Sequence, residues 1–271
     1  MDISTAKILL KEMMLLAWEV EAWEPHTFDH LWRVSKFTHL IATALGWPTL
    51  DIAKATLGAF LHDIGKLHIP LNILNKPGAL TYNEYLIIQG HSLQGYKLIK
   101  DNPLAHFVAD TILQHHERVD GRGYPKGLNN NAISKHAKLV SLCDAFDAMT
   151  SHRPYRDPMS KEKALDIIQS LLGTQFDSKL GTTFIHLGKL GKFDHIILQS
   201  NKRIPLQYCS TCGTTIKVIQ HQIKGDVTQC RVCGSPCTMQ NTILNKNDIW
   251  KTKHVTDELI QATVNHLFFQ K

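Results

Sequence analysis

Apolar residues recur at helical spacing along most of the first 190 positions. One segment places them three or four residues apart, at Leu31, Val34, Phe37, Ile41 and Leu45. That period is typical of an α-helix that buries one face, whereas no sustained alternation of apolar and polar positions indicates a strand. The pattern therefore predicts consecutive helices from Ile3 to about Leu190.

Capping residues and glycines predict where some of these helices begin and end. Four residues have the position and chemistry of helix N-caps: Asp51, Thr81, Ser160 and Asp177. Thr81 is followed by Glu84, which is the spacing of a capping box, and the helix that begins near Asp51 is expected to end at Gly65. Glycines and three consecutive asparagines predict an irregular loop between residues 120 and 134.

The pattern changes near Ile204, where the helical period disappears and two Cys-x-x-Cys pairs follow. The cysteines are Cys209, Cys212, Cys230 and Cys233. Their spacing resembles a zinc ribbon, in which thiolates hold one structural zinc and let a short segment fold with little core. Redox activity is the competing interpretation. Helical spacing returns after Asp248 and predicts a closing amphipathic helix.

Composition and charge restrict the class of protein. With 271 residues and 43% hydrophobic content, the chain can bury a large core beside a small appendage. The formal net charge is +6, but the basic residues are spread along the chain, which weakly favours an anionic ligand and argues against nucleic acid. Charges interrupt the apolar N-terminal stretch, and it lacks the features of a signal peptide. The sequence therefore predicts a cytoplasmic protein without a membrane span.

The histidines are concentrated in the first part of the chain. Eleven of the sixteen lie between His26 and His152. Imidazole together with carboxylate suits iron, manganese, zinc or nickel better than magnesium or calcium. The adjacent pair His62-Asp63 can bind two neighbouring cations if the carboxylate bridges them, and two such cations can clamp the attacking and leaving oxygens of a phosphoryl transfer.

These residues carry a family resemblance. The run His62-Asp63-Ile64-Gly65-Lys66 resembles the HDxGK motif of HD-domain phosphohydrolases. Downstream, residues 115–117 and 120–125 match the HHE and GYP signatures of the HD-GYP subgroup, and the likeness covers roughly residues 24 to 190. The resemblance implies a mainly α fold, an HD-domain helical bundle, and metal-dependent phosphodiesterase activity on a cyclic dinucleotide.

The resemblance also implies a ligand set for two divalent metal ions, iron or manganese. The first ion would be held by His30, His62, Asp63 and Asp144. Asp63 would bridge to the second ion, which His91, His115 and His116 would complete. A hydroxide between the two ions would then be the nucleophile, because metal binding lowers the pKa of water toward about 7.

Two further residues have alternatives that the sequence leaves open. Some family members place a glutamate, which helps to bind a third metal, four residues before the first histidine, and this chain has His26 there. His26 shares a helix face with His30, so it is a substitute ligand for a third metal, a residue behind the ligands, or an interfacial residue. Asp147 either orients a ligand histidine or is an ordinary carboxylate on the helix surface.

Substrate contacts follow from the same resemblance. Lys66 would hold the scissile phosphate or donate toward the leaving oxygen, with an ordinary helix-end cation as the alternative. Tyr124 and Gly123 would lie in the loop that contacts the nucleotide, or form only a turn. Arg153 and Arg156 would bind phosphate through their guanidinium groups, and a solvated charged turn is the competing interpretation.

The resulting organisation has four parts. An N-terminal helix at 1–23 precedes an HD-GYP catalytic domain at 24–200, a zinc-ribbon-like β module at 205–245 and a C-terminal helix at 248–271. The expected reaction is hydrolysis of cyclic di-GMP to linear pGpG, GMP or both. Cyclic GMP-AMP or another phosphate ester is an alternative substrate. A further alternative is a catalytically weak domain that binds the dinucleotide and reports it through the cysteine-rich module, which is also a candidate site for a protein partner.

Overall fold

The computed structural model describes residues 2–23, 25–151 and 157–197, together with short segments at 207–208, 211, 215–216, 227–229 and 235–238. Side chains are described throughout 30–151 and 157–197 and for most of residues 2–20. Several predicted features lie outside the described residues: the side chain of His26, the C-terminal helix, Arg153, Arg156, Cys209, Cys212, Cys230 and Cys233.

The described part of the chain is mainly helical, as the apolar period predicts. Its α-helices are α1 (Ile3–Trp23), α2 (Pro25–Ala44), α3 (Thr49–Leu61), α4 (Leu71–Leu74), α5 (Tyr82–Gln89), α6 (His91–Ile99), α7 (Ala109–Gln114), α8 (Lys135–Thr150), α9 (Lys161–Ser170), α10 (Ser178–Lys189) and α11 (Asp194–Ile197). Two 3₁₀ helices, Ile64–His68 and Ala105–Phe107, lie between them. None of the helices in the described residues combines the length and apolar character that crossing a membrane requires.

Three of the predicted caps are confirmed. The Thr81 hydroxyl accepts from the Glu84 backbone N–H at 3.3 Å, and the Glu84 carboxylate accepts from the Thr81 backbone N–H at 2.7 Å, so α5 begins with a complete capping box. The Ser160 hydroxyl accepts from the N–H of residue 163 in α9, and the Asp177 carboxylate accepts from that of residue 180 in α10.

The predictions at both ends of α3 are wrong. The helix begins at Thr49, so Asp51 lies in its first turn, where its carboxylate binds the side chains of Lys135 and His136 on α8 instead of capping. At the other end α3 stops at Leu61, and the chain tightens into a 3₁₀ helix that contains Gly65. His62 keeps helical dihedral angles, and Asp63, with φ −105° and ψ 8°, is the residue at which the chain leaves the α-helical course.

Buried apolar side chains form two clusters. The first contains the phenylalanines of α2, α8 and α10, which meet edge to face around Phe37, Phe146 and Phe184. The second packs α1, through Leu10 and Met13, against α3 and α7. Helices α2 and α3 contribute to both clusters, which fixes the relative position of the two helices that carry the first histidine and the His-Asp pair.

Four short strands follow the helices in the described segments. β1 (Gln207–Tyr208) pairs antiparallel with β2 (Thr215–Ile216), and β3 (Val227–Gln229) pairs antiparallel with β4 (Pro236–Thr238). In the sequence, one Cys-x-x-Cys pair falls between β1 and β2 and the other between β3 and β4.

Candidate metal centre and adjoining cavity

Seven predicted ligands, contributed by separate helices, come together in the interior. His30 lies in α2, His62 and Asp63 follow α3, and His91 is the first residue of α6. The remaining ligands are His115 and His116, which follow α7, and Asp144 in α8. Helix ends supply five of the seven ligands, so their side chains can converge on one point from different directions.

The ligands form two groups that meet at Asp63. The first group consists of His30, His62 and Asp144, and each of these residues offers one potential ligand atom within 4.8 Å of those of the other two. The second group meets the same limit and consists of Asp63, His91, His115 and His116. Oδ2 of Asp63 lies 3.4 Å from Nε2 of His62, whereas Oδ1 lies 3.2 Å from Nε2 of His91. The Asp63 carboxylate therefore presents one oxygen to each group.

Hydrogen bonds orient three of the ligand histidines in the same way. The Nδ1–H groups donate to main-chain carbonyls three residues earlier: His62 to Ala59 at 2.6 Å, His91 to Ile88 at 2.7 Å and His115 to Ile112 at 2.9 Å. A carbonyl oxygen can only accept, so Nδ1 must carry the proton in each neutral ring. Nε2 then presents its lone pair to the centre, which is the arrangement that metal-binding histidines use.

The residues present fit a pair of divalent cations. In the neutral rings Nε2 of His91 and Nε2 of His115 both lack a proton, yet they lie 3.1 Å apart. Nε2 of His30, Nε2 of His62 and Oδ1 of Asp63 are buried and have no hydrogen-bond partner among the described residues. Buried lone pairs of this kind are costly unless a hydrogen-bond donor or a cation satisfies them. Mixed imidazole and carboxylate donors suit iron, manganese or zinc.

The electrostatics of the cluster keep these groups ready to bind metal. Desolvation, together with the neighbouring His91, lowers the pKa of His116 to about 3, and burial beside His116 lowers the pKa of His115 well below its usual value. Burial would raise the pKa of Asp63, but Lys66 and His62 hold it well below the usual value. At neutral pH His115 and His116 are thus unprotonated and the Asp63 carboxylate is charged, which are the states that coordinate a cation.

A buried ion pair supports the first histidine from behind. Oδ2 of Asp147 lies 2.8 Å from Nδ1 of His30 and accepts at 2.9 Å from Nη2 of Arg33, and Oδ1 of Asp147 accepts from Nε of Arg33 at 2.5 Å. Burial alone would raise the pKa of Asp147, but the charge of Arg33 and the hydrogen bond from His30 lower it. Of the two interpretations of Asp147, the geometry favours the one in which it orients His30.

The lysine and glycine of the HDxGK run have distinct surroundings. Nζ of Lys66 lies 2.5 Å from Oδ2 of Asp63, so its charge stands at the metal centre. Gly65 packs directly against the first turn of α6, where an added Cβ would overlap the main-chain carbonyl of His91. Only glycine allows this close approach, which brings the His-Asp pair and His91 together.

The predicted substrate loop is attached to the metal centre by Glu117. Its buried carboxylate accepts the backbone N–H groups of Lys126 at 2.7 Å and Leu128 at 2.8 Å. Tyr124 donates its own N–H to the carbonyl of His116, and its ring stacks on the His116 imidazole at 4.7 Å and 27°. The loop and the second metal group are therefore held in one fixed arrangement.

A cavity of about 270 Å³ opens beside the cluster. Its walls include two metal-ligand candidates, His116 and Asp144, together with predicted contacts Gly123 and Tyr124. Further walls come from Tyr85 on α5, Arg118, Arg122 and Gln175. A substrate in this cavity would contact both the metal centre and the 120–134 loop.

Sequence reasoning assigned no role to Arg33, Glu117 or the arginines of the cavity. A signal existed for Arg33, because it stands three residues after His30 and therefore shares its helix face. Glu117 belongs to the HHE signature, but its partners lie nine and eleven residues later in an irregular loop. Such contacts depend on the path of the loop, which the residue pattern does not give.

Comparisons with known proteins give relatives over the helical part of the chain. The HD domain family matches residues 14–180, more than half of the chain. A cyclic di-GMP phosphodiesterase of Thermotoga maritima is 38% identical over 165 residues, covering 60% of this chain and 45% of its own length. A 3'3'-cGAMP-specific phosphodiesterase of Vibrio cholerae is 39% identical over 157 residues, covering 58% of this chain and 36% of its own length. The chain thus spans less than half the length of these two curated relatives.

A solved structure shares the fold. An HDG"Y"P protein from Bdellovibrio bacteriovorus superposes with a TM-score of 0.51 at 21% identity, covering 69% of this chain and 73% of that one. At this identity the likeness concerns the fold alone. Together with the family match over residues 14–180 and the convergence of the His-Asp cluster, it leads to one conclusion: the chain belongs to the HD domain family.

Proposed function

We propose that this chain is a metal-dependent phosphodiesterase that hydrolyses a cyclic dinucleotide. The observation that carries the proposal is the position of Asp63, whose two carboxylate oxygens face two separate groups of ligand side chains beside an open cavity. Two adjacent cations at such a carboxylate are suited to phosphoryl transfer. The curated relatives with 38% and 39% identity carry phosphodiesterase names, which supports the same reaction class.

Each residue of the matched motifs would have a defined task in this reaction. Two divalent ions, iron or manganese, would lower the pKa of water and offset negative charge on the phosphate. His30, His62 and Asp144 would hold one ion, His91, His115 and His116 would hold the other, and Asp63 would be shared. Lys66 already stands at Asp63, so its ammonium would bind the scissile phosphate or donate toward the leaving oxygen. Arg153 and Arg156 would bind phosphate.

Cyclic di-GMP is the first substrate we propose, with pGpG or GMP as the product. A second candidate, cyclic GMP-AMP, is supported by a relative named as specific for that compound at nearly the same identity. Both compounds contain two phosphodiester bonds and at least one guanine. The metal centre would act on the phosphodiester bond and not on the base. Discrimination between the two compounds would therefore come from the residues of the cavity.

We further propose the four-part organisation at 1–23, 24–200, 205–245 and 248–271, with a structural zinc held by the two Cys-x-x-Cys pairs. Support comes from the two short antiparallel strand pairs that flank those pairs in the sequence, because a zinc ion bound by four thiolates lets such a small segment fold with little core of its own. Metal analysis of the full chain beside the Cys209→Ser/Cys230→Ser double variant tests this, and we expect the variant to lose one zinc ion per chain. Equal zinc content in both proteins would contradict it.

The function is tested by incubating anaerobically purified, manganese-loaded protein with cyclic di-GMP and, separately, cyclic GMP-AMP, and separating the products by chromatography. We expect linear dinucleotide or mononucleotide from at least one compound and its loss in His62→Ala and Asp63→Asn. His106→Ala, which removes an exposed histidine remote from the ligand set, is the matched control and should retain activity. Binding of either compound without product would indicate a regulatory binding domain instead.

A further inference from the structure

Two arginines line the cavity beside His116, and they differ in what they bind. The guanidinium of Arg118 donates to both carboxylate oxygens of Asp120, at 3.0 and 2.7 Å, and to Oε1 of Gln175 at 2.9 Å. In the part of the chain that the structure describes, no hydrogen bond or ion pair occupies the guanidinium of Arg122, whose recorded hydrogen bond is through its backbone N–H. The Arg122 side chain is exposed at the cavity wall, where its guanidinium can reach a ligand.

An aromatic ring lies in the same cavity. Tyr85 on α5 is 45% exposed, and its ring meets that of Tyr124 edge-on, with centroids 6.4 Å apart. The Tyr124 ring already covers His116 with one face, whereas the exposed surface of Tyr85 can receive a planar group. Stacking of a nucleobase on an aromatic side chain is favourable and tolerates any base.

The shape of the Arg122 guanidinium suits the edge of a base. The neighbouring Asp120 carboxylate accepts from the Arg122 backbone N–H at 3.1 Å, and its charge is already offset by the guanidinium of Arg118. A guanine offers two acceptors, O6 and N7, that match the two-pronged guanidinium, while an adenine presents an amino group in place of O6.

We propose that this cavity binds one base of the substrate, with Tyr85 stacking on it and Arg122 selecting guanine through O6 and N7. The inference rests on the proposed function and deepens it, because it assigns the base preference to two residues outside the metal centre. The volume of about 270 Å³ lies below the range of roughly 300 to 1,000 Å³ for drug-sized ligands. It suits one half of a cyclic dinucleotide, which leaves the other half outside the cavity.

The test compares three substrates with the manganese-loaded full chain. Cyclic di-GMP and cyclic di-IMP both keep O6 and N7, whereas cyclic di-AMP lacks O6. We expect the wild-type protein to prefer the first two in kcat/KM or, if cyclic di-AMP is not cleaved, in its inhibition constant against cyclic di-GMP. In Arg122→Ala this preference should fall by on the order of 10- to 100-fold, the discrimination that a bidentate arginine–guanine contact provides. Arg122→Lys keeps the charge but not the fork, so it should lose most of the preference.

Two further variants separate the effect of positive charge in the loop from the effect of base stacking. Lys126→Ala removes one positive charge from the same loop, at an exposed side chain that is not among the cavity walls, and should leave the preference unchanged. Tyr85→Ala should lower kcat/KM for all three compounds by a similar factor, roughly 5- to 100-fold, since stacking does not distinguish bases. Tyr85→Phe keeps the aromatic ring and should have the kcat/KM of the wild-type protein.

Equal losses for all three compounds in Arg122→Ala would overturn base selection and assign Arg122 to a phosphate. An unchanged preference in that variant would remove Arg122 from recognition altogether. Calorimetric binding of the three compounds to the same proteins reports the base preference even without turnover. If the protein binds guanine compounds selectively but forms no product, the proposed function is contradicted. If it forms product without preferring guanine compounds, this inference is contradicted.

Discussion

Nδ1 of His30 lies 2.8 Å from Oδ2 of Asp147, across 117 residues of sequence. The same carboxylate accepts two hydrogen bonds from Arg33, so a buried guanidinium, a carboxylate and an imidazole form one continuous contact. This contact fixes the ring of His30 so that Nε2 points toward Asp144, 3.1 Å away. Helix α8 therefore provides both a ligand candidate and the support of another ligand.

Replacing Asp147 with asparagine should weaken metal binding. The amide keeps the size of the side chain but loses the charge that orients His30 and raises the basicity of its Nε2 atom. We expect the affinity for manganese to fall about 10- to 100-fold, measured by competition with a chelating dye. Asp166→Asn, an exposed carboxylate on α9, is the matched control. Equal affinity in wild type and Asp147→Asn would show that the contact is only structural.

Removing the arginine should affect stability more than chemistry. Arg33→Met leaves the buried carboxylate of Asp147 without its main cationic partner, and the uncompensated charge should cost about 3 to 5 kcal/mol in the free energy of unfolding. Urea denaturation of the metal-free protein measures this cost. The double variant Arg33→Met/Asp147→Asn should recover part of it, because no unpaired carboxylate remains. No recovery in the double variant would contradict the assignment of the cost to that charge.

Glu117 should control the 120–134 loop. Glu117→Ala leaves the backbone N–H groups of Lys126 and Leu128 without their acceptor, which should destabilise the protein by about 1 to 3 kcal/mol and raise KM more than it lowers kcat. Glu117→Gln offers one acceptor oxygen instead of two and should be intermediate. Glu162→Ala, an exposed glutamate of α9, should behave as wild type. A fall in kcat without a change in KM would place the role of Glu117 in the metal centre.

Acid should destabilise the metal-free protein below about pH 6.5. The pKa of His116 is lowered to about 3, by desolvation and by His91, and the pKa of His115 is also lowered, whereas unfolded histidines titrate near pH 6.5. Between about pH 3 and 6.5 the unfolded chain binds more protons at these two residues, so their contribution to stability rises with pH. His30 acts in the opposite direction: burial would lower its pKa, but Asp144 and Asp147 raise it.

Among the described residues, the pKa is lowered at three histidines, His115, His116 and His136, and raised at one, His30. We therefore expect the urea midpoint in the presence of chelator to be lower at pH 5 than at pH 7.5. His116→Ala should reduce that difference, because one group with a lowered pKa is gone. The exposed His106→Ala substitution should leave it unchanged. A midpoint that is independent of pH over this interval would contradict the assigned protonation states.

Motifs with short spacing predict which side chains gather in the interior. His62 and Asp63 are adjacent, His115 and His116 are adjacent, and the structure gathers them with His30, His91 and Asp144 as the resemblance implied. The helical period likewise predicted the buried face of α2, which contains Leu31, Val34, Phe37 and Ile41. The end of α3 could not be predicted in this way, because the close packing of Gly65 on α6 depends on a tertiary contact and overrides local propensity.

Residues that act across long sequence separations were harder to identify. Asp147 was a candidate for orienting a ligand histidine, but Arg33 lies 114 residues away from it, and nothing in the sequence pairs the two residues. The different partners of Arg118 and Arg122 depend on how the 120–134 loop meets Gln175. Composition and periodicity contain no information about such a tertiary contact. The guanine-selecting role of Arg122 could therefore be proposed only from the position of this residue at the cavity.

The most direct test of the account measures metal content and cyclic di-GMP hydrolysis in the same anaerobic sample. Besides zinc, the account predicts two divalent ions per chain and formation of a linear product, with both reduced in Asp63→Asn because that carboxylate serves both ion sites. Two ions bound without hydrolysis of either cyclic di-GMP or cyclic GMP-AMP would contradict the account.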